Sequence, residues 1–203
     1  NTAYVAEGGP GGVVEVVALD TGTVKGAFPA GHTPMSPVVR NGKLYVAARF
    51  DSKIVEMDAS SGKVLNSWPA SREPVALAVS PDGKKIWAAN HLPAGAANGD
   101  FTAAALTLVE NGKAVHFPLV NGTQGVRGMA VSPDGRYLAV AHVLSRYQVP
   151  TTQLDRGWMN TNAVTIMDTA CPDRPHPVLL DDPDAGAANP WGVLFSPDGS
   201  RLL

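Results

Sequence analysis

Val75-Ala-Leu-Ala-Val-Ser-Pro-Asp-Gly-Lys-Lys-Ile-Trp-Ala-Ala-Asn90 places two short apolar runs on either side of a Ser-Pro-Asp-Gly tetrapeptide. Proline presets φ at the second position of a tight turn, and glycine takes the positive φ that a side chain resists. The stretch therefore reads as strand, hairpin turn, strand. The tetrapeptide recurs at Ser132 to Gly135 and Ser196 to Gly199, flanked by Val126 to Val131, Arg136 to Ala141 and Trp191 to Phe195, and Val39-Arg-Asn-Gly42 is a degenerate copy. Turn geometry alone accounts for every residue of the three full copies. Downstream of these hairpins a third strand is expected at Val13 to Asp20, Ile54 to Asp58, Leu106 to Glu110 and Val164 to Asp168. A fourth follows at Thr23 to Phe28, Lys63 to Trp68, Lys113 to Leu119 and Pro177 to Leu180. Four antiparallel strands, A to D, repeating about every 40 residues, make the blade of a β-propeller.

Composition agrees with a turn-rich, all-β chain. Of 203 residues, 21 are Gly and 17 are Pro, while aromatic residues make up 6%, which argues against long helical bundles. Sixteen basic and 18 acidic side chains leave a formal charge of −2, without the basic excess of a nucleic-acid binder, so no nucleic-acid partner is expected. Cys171 is the single cysteine, so no intrachain disulfide forms. The spacing from Cys171 to His176 is not that of a Cys-x-x-Cys-His haem attachment, so no cofactor is expected within this chain. No apolar run approaches the roughly 18 residues that span a bilayer, and membrane insertion is not expected. Asn1-Thr-Ala-Tyr4 lacks a start methionine and a charged leader, and with the sparse lysine it reads as the processed or trimmed start of an exported bacterial protein, periplasmic or extracellular.

The Val75 to Asn90 phrase resembles the blade repeat of the YVTN family of β-propellers, and the resemblance runs over essentially the whole chain. That family includes lactonase-like enzymes, surface-layer proteins and propellers fused to electron-transfer domains, so the resemblance implies a fold without selecting an activity. One propeller domain over residues 1–203 is expected, with about four blades and partial blades at both ends. Thr2 to Glu7 aligns with strand B, as Leu44-Tyr-Val-Ala-Ala48 does, and Leu203 stands within another strand B. This count favours an incomplete piece of a seven-bladed ring over a four-bladed ring closed by Trp191 to Phe195 beside Thr2 to Glu7.

Turn glycines at 42, 83, 135 and 199 are spaced by 41, 52 and 64 residues, so the later blades carry insertions. Both large ones, His91 to Thr102 and His142 to Asn162, fall between strands B and C, on the blade face that surrounds a propeller's channel mouth. Long loops of this kind usually bind something. The second is dense in recognition residues. Arg146 and Arg156 can clamp carboxylates, Tyr147 and Trp158 offer flat amphipathic surface, and Gln153, Asp155, Asn160 and Asn162 can fix orientation or satisfy the loop's own backbone. His91 and His142 each end a strand B, at positions matched by Glu7 and Arg49, and are expected to point to one channel mouth. Repetition of structural residues explains that equivalence as well as a metal site does, and no metal ligand set is assigned. Asp181, Asp182 and Asp184 read as a solvated loop, and Cys171 as a residue of a C–D turn.

No catalytic motif is present: there is no Gly-x-Ser-x-Gly, His-Glu-x-x-His or Gly-rich phosphate loop. The His142 to Asn162 stretch also resembles the insertion of bacterial YVTN propellers joined to di-haem cytochrome c peroxidase-like domains related to the MauG group. That resemblance implies an exported scaffold whose loop-rich face meets a haem-bearing domain or another protein, with c-type haem in a missing domain or partner. Two other functions remain: a lactonase-like hydrolase using His91, His142 and Arg49 at the channel mouth, and a surface or adhesive propeller without a small ligand.

Overall fold

The computed structural model describes residues 1–146, 160–181 and 189–203. Among the described residues every regular element is a strand. Blade 1 contains β1 (Thr2–Glu7), β2 (Gly12–Ala18) and β3 (Val24–Gly31) as a three-stranded sheet. Blade 2 contains β4 (Pro34–Arg40), β5 (Lys43–Ala48), β6 (Lys53–Asp58) and β7 (Val64–Pro69), and blade 3 contains β8 (Pro74–Val79), β9 (Lys85–Asn90), β10 (Ala105–Glu110) and β11 (Lys113–Pro118). Blade 4 contains β12 (Thr123–Val131), β13 (Tyr137–Ser145), β14 (Asn160–Asp168) and β15 (His176–Leu179). In blades 2 to 4 the strands lie in sequence order, the up-and-down arrangement expected of A to D. Trp191 to Phe195 differs from expectation: among the described residues only the Phe195–Leu202 bridge forms, across the third Ser-Pro-Asp-Gly turn, and Trp191 stays 70% exposed.

The chain divides into two compact units, one of Asn1–Ala88 with Thr107–His116 and one of Ala89–Leu106 with Phe117–Leu203. In the first unit the period-2 alternation of strands sends alternate residues of β5 into two different cores. Leu44 and Val46 join Val14, Ala30 and Met57, while Tyr45 and Ala47 join Ile54, Leu77, Ile86 and Val109. A blade flanked on both faces has no polar side to expose, which is why Leu44-Tyr-Val-Ala-Ala48 is continuously buried rather than alternating. The outer strand β7 is mostly exposed and ends in Pro69, as suits an edge.

The Ser-Pro-Asp-Gly turns are closed three ways. The glycine N–H donates to the serine carbonyl at 2.8 Å in each copy, with φ of 76°, 76° and 71° at Gly83, Gly135 and Gly199. The serine hydroxyl donates to the aspartate at 2.5–2.6 Å and accepts the N–H of Lys85, Tyr137 or Arg201. Hydrogen bonds to the ionised carboxylate favour its charged form, so the serine hydroxyl, then the following backbone N–H, holds Asp82 and Asp134 below the ordinary range and Asp198 down to about 2.

Candidate functional site

The expected recognition loop stands on a longer arm than its sequence suggests. β13 and β14 pair without a break from Tyr137 with Asp168 to Ser145 with Asn160, nine residue pairs, where β5 and β6 make six. At about 3.4 Å per residue, three extra pairs carry the loop base roughly 10 Å farther along the strands. His142 to Ser145 and Asn160 to Asn162, read from sequence as insertion, are therefore strand. Burial accompanies the pairing, with His142, Thr161, Asn162 and Ala163 buried and Val143 and Leu144 half-buried.

Neighbouring segments of the second unit lace the arm in place. Thr102 N–H donates to Asn121 Oδ1 (2.8 Å) and Gly122 N–H to Thr102 O (2.8 Å), tying the end of the His91 to Thr102 insertion to the connection leading into β12. Ser145 N–H then donates to Gly122 O at 2.8 Å. Gly122 has φ of +91°, and a Cβ there would stand 2.1 Å from Ser145 O, so only glycine permits this approach. On the other edge Asp181 accepts both the backbone N–H of Asn162 (2.9 Å) and its side-chain amide (2.6 Å). Asp181 thus clamps the arm instead of lying free in a solvated loop.

The predicted residues separate accordingly. Arg146 and Asn160 are exposed at the tip of the arm. Tyr147, Gln153, Asp155, Arg156 and Trp158 lie outside the described residues, as do Asp182 and Asp184. The two histidines are not equivalent. His91 follows β9 directly, is half-buried, and its Nδ1 hydrogen-bonds Val126 O at 2.8 Å. His142 lies inside β13, fully buried, with Nε2 sharing a hydrogen bond with Thr165 Oγ1 at 2.7 Å. Burial pushes the His142 pKa below its ordinary value, outweighing an opposing influence from the Val143 backbone. Arg49, in the first unit, is held by Glu73 through Nε (3.2 Å) and Nη2 (2.8 Å) and lies over Phe50. His91, His142 and Arg49 are thus each engaged by neighbours of their own. Cys171 sits between β14 and β15, exposed, in the expected C–D turn. Among the described residues no three of His, Cys, Asp and Glu group closely enough to hold a metal, and no helix is long and apolar enough to cross a membrane.

Two polar clusters escaped the sequence reading. In blade 4, Thr123 Oγ1, His142 Nδ1 and Thr161 Oγ1 are buried with no hydrogen-bond partner among the described residues. In blade 2, Tyr45, Glu56 and Asn66 stand directly opposite one another across three strands. Glu56, 3% exposed, accepts from Asn66 Nδ2 (3.2 Å) and pairs with Lys43 Nζ (3.0 Å), and the Tyr45 hydroxyl hydrogen-bonds it. Burial, reinforced by the Glu56 charge, pushes the Tyr45 phenol up to about 12. A carboxylate in the middle of Ile54-Val-Glu-Met-Asp58 was the available signal, since an acid inside a buried strand needs partners.

The β-propeller domain of Cps50 (Swd1) from Myceliophteria thermophila superimposes with a TM-score of 0.66 at 13% identity, covering 97% of this chain and 57% of that one. The fold is that of a β-propeller. Hydrazine synthase from Kuenenia stuttgartiensis superimposes with a TM-score of 0.60 at 19% identity, covering 97% of this chain and 71% of that one. By sequence, hydrazine synthase subunit beta from Kuenenia stuttgartiensis is 29% identical over 142 residues, 69% of this propeller. The matched stretch spans 35% of that subunit's length. No family model matches the propeller.

Proposed function

We propose that this propeller is a scaffold in an exported, multi-protein redox assembly, where the tip of the β13–β14 arm docks a haem-bearing protein or domain that carries the chemistry. The observation that carries this reading is the laced, nine-pair arm. It gives a fixed base to the segment between Ser145 and Asn160, whose sequence is rich in Arg, Trp, Tyr and amide side chains, and a fixed base lowers the entropy lost on docking. Similarity to a protein named as a subunit of hydrazine synthase supports a role beside other subunits. The YVTN resemblance, and that of the His142 to Asn162 stretch to propellers joined to MauG-related di-haem domains, supports haem as the partner's cofactor.

The test is to purify the full-length protein from its source through a tag on this polypeptide, then record native mass and visible absorption. A complex with a stoichiometric Soret band is expected. Arg146→Glu combined with Arg156→Glu and Trp158→Ala should weaken that association by at least about tenfold, the scale of a hot-spot anchor, while leaving the unfolding midpoint within a few degrees. A haem-free protein partner would keep the scaffold and remove the haem. Purification at the protein's own mass would remove both, and a matching collapse in stability would make the loop residues structural.

A further inference from the structure

The polar row of blade 2 faces a cavity of about 310 Å³ within the first unit. Lys43, Tyr45, Glu56, Asn66 and Trp68 form one wall, and the turn residues Lys84 and Asn111 stand on the other. This is the small end of the range for small-molecule sites, about 300–1,000 Å³. We propose that this cavity binds a neutral sugar ring.

Charge balance argues for neutrality. Glu56 is paired with Lys43, and Lys84 lies 3.9 Å from Asp82, so the wall presents compensated ions. An organic cation would have to displace Lys43 from Glu56, and an anion would be set against a buried carboxylate. Hydrogen-bonding character argues for hydroxyls. The amides of Asn66 and Asn111 each donate and accept, the carboxylate accepts and the lysines donate, a mixture that matches groups which themselves both donate and accept. Shape argues for a ring. The indole of Trp68 is locked by its Nε1–H donating to Gly112 O (3.2 Å) and packs against the Tyr45–Ile86–Val109 core, leaving a fixed apolar edge that a C–H group of a pyranose can meet. The phenol of Tyr45 stays protonated and bound to Glu56, holding the carboxylate still.

Isothermal titration calorimetry of the full-length protein with glucose, galactose, N-acetylglucosamine and their β-linked disaccharides, and with glucuronate and glucosamine as charged counterparts, tests this. Saturable binding of at least one is expected, weakened at least about tenfold in Trp68→Ala and in Asn66→Ala. Because Trp68 also packs against the core, Asn111→Gly, at an exposed turn, is measured beside it with an unfolding curve for each variant. Asn111→Gly, which keeps the positive φ of 51° without strain, should lose affinity with the midpoint held within about a degree or two. Absence of saturable heat with every neutral sugar at tens of millimolar overturns the proposal. So does binding that survives both asparagine variants, or binding confined to glucuronate or glucosamine.

Discussion

In blade 2 the buried carboxylate of Glu56 is met by its neighbours: Tyr45 and Asn66 stand beside it in a row across three strands, and Lys43 pairs with it. In blade 4 His142 is met at Nε2 by Thr165, while the Thr123 and Thr161 hydroxyls and the second nitrogen of His142 have no partner among the described residues. The same four-stranded repeat thus carries a closed polar network in one sheet and an open one in another. The blades differ again at the loop end, where six pairs between strands B and C suffice in blade 2 and blade 4 makes nine. The repeat is a frame whose faces and ends vary independently, because backbone pairing holds the strands whatever the side chains do.

The largest break in this comparison should come from glycine. Gly42, in the A–B turn of blade 2, has φ of +74° with open space where a Cβ would stand, whereas Gly122 has φ of +91° with Ser145 O in that space. Gly42→Ala should cost about 1 kcal/mol of conformational strain, and Gly122→Ala about 3 kcal/mol, since strain, clash and the Ser145–Gly122 hydrogen bond are all involved. Thermal unfolding of the two variants reads the difference directly. Equal losses would mean that the arm is not pinned at Gly122.

A smaller effect separates the threonines of blade 4. Thr165→Val leaves buried His142 Nε2 without its partner and should destabilise by about 1–2 kcal/mol, while Thr161→Val removes a hydroxyl that bonds nothing described and should be neutral or slightly stabilising. Urea midpoints measure both. A clear loss in Thr161→Val would show that its hydroxyl is engaged.

The smallest effects are those of pH. Burial lowers the pKa of His142, so the unfolded chain takes up its proton first. Stability should be full above 6.5, the ordinary value, and fall as pH drops through the folded pKa, a slope absent in His142→Gln. Blade 2 shows its counterpart at lower pH. Asp58 in its C–D turn is held to about 2 by the hydroxyls of Ser60 and Ser61, ahead of the Ser61 N–H, and Asp198 is held to about 2 by its own turn. Their contribution is complete above the unfolded value of 3.8 and is lost as pH falls towards 2. Urea midpoints across pH 7 to 2 should show two declines, with Asp58→Asn reducing only the acidic one.

The blades were legible because their signals are local. Ser-Pro-Asp-Gly closes its own turn, Asn41-Gly42 closes another with both residues at positive φ, and short apolar runs mark strands whose bounds mostly moved by a residue or two, with β12 starting three residues earlier, at Thr123. Strand D of blade 1 ran farther, to Gly31, because pairing with Gly12 extends it. The arm was partly legible: its recognition residues announce themselves by type, but its length depends on Ser145 meeting Asn160, residues separated by the very insertion that hides the pairing.

By itself, the sequence determined the strand repeat, its turns, the all-β class and the position of the insertions, since these follow from φ preferences and side-chain alternation within a few residues. Tertiary structure alone decided that His142 is interior, that Asp181 clamps Asn162, that Gly122 admits Ser145, and that Lys43, Tyr45, Glu56 and Asn66 share one face. Those facts arise from residues brought together by cross-strand register and by packing against a neighbouring sheet, and nothing in the local chain records which distant residue will stand opposite.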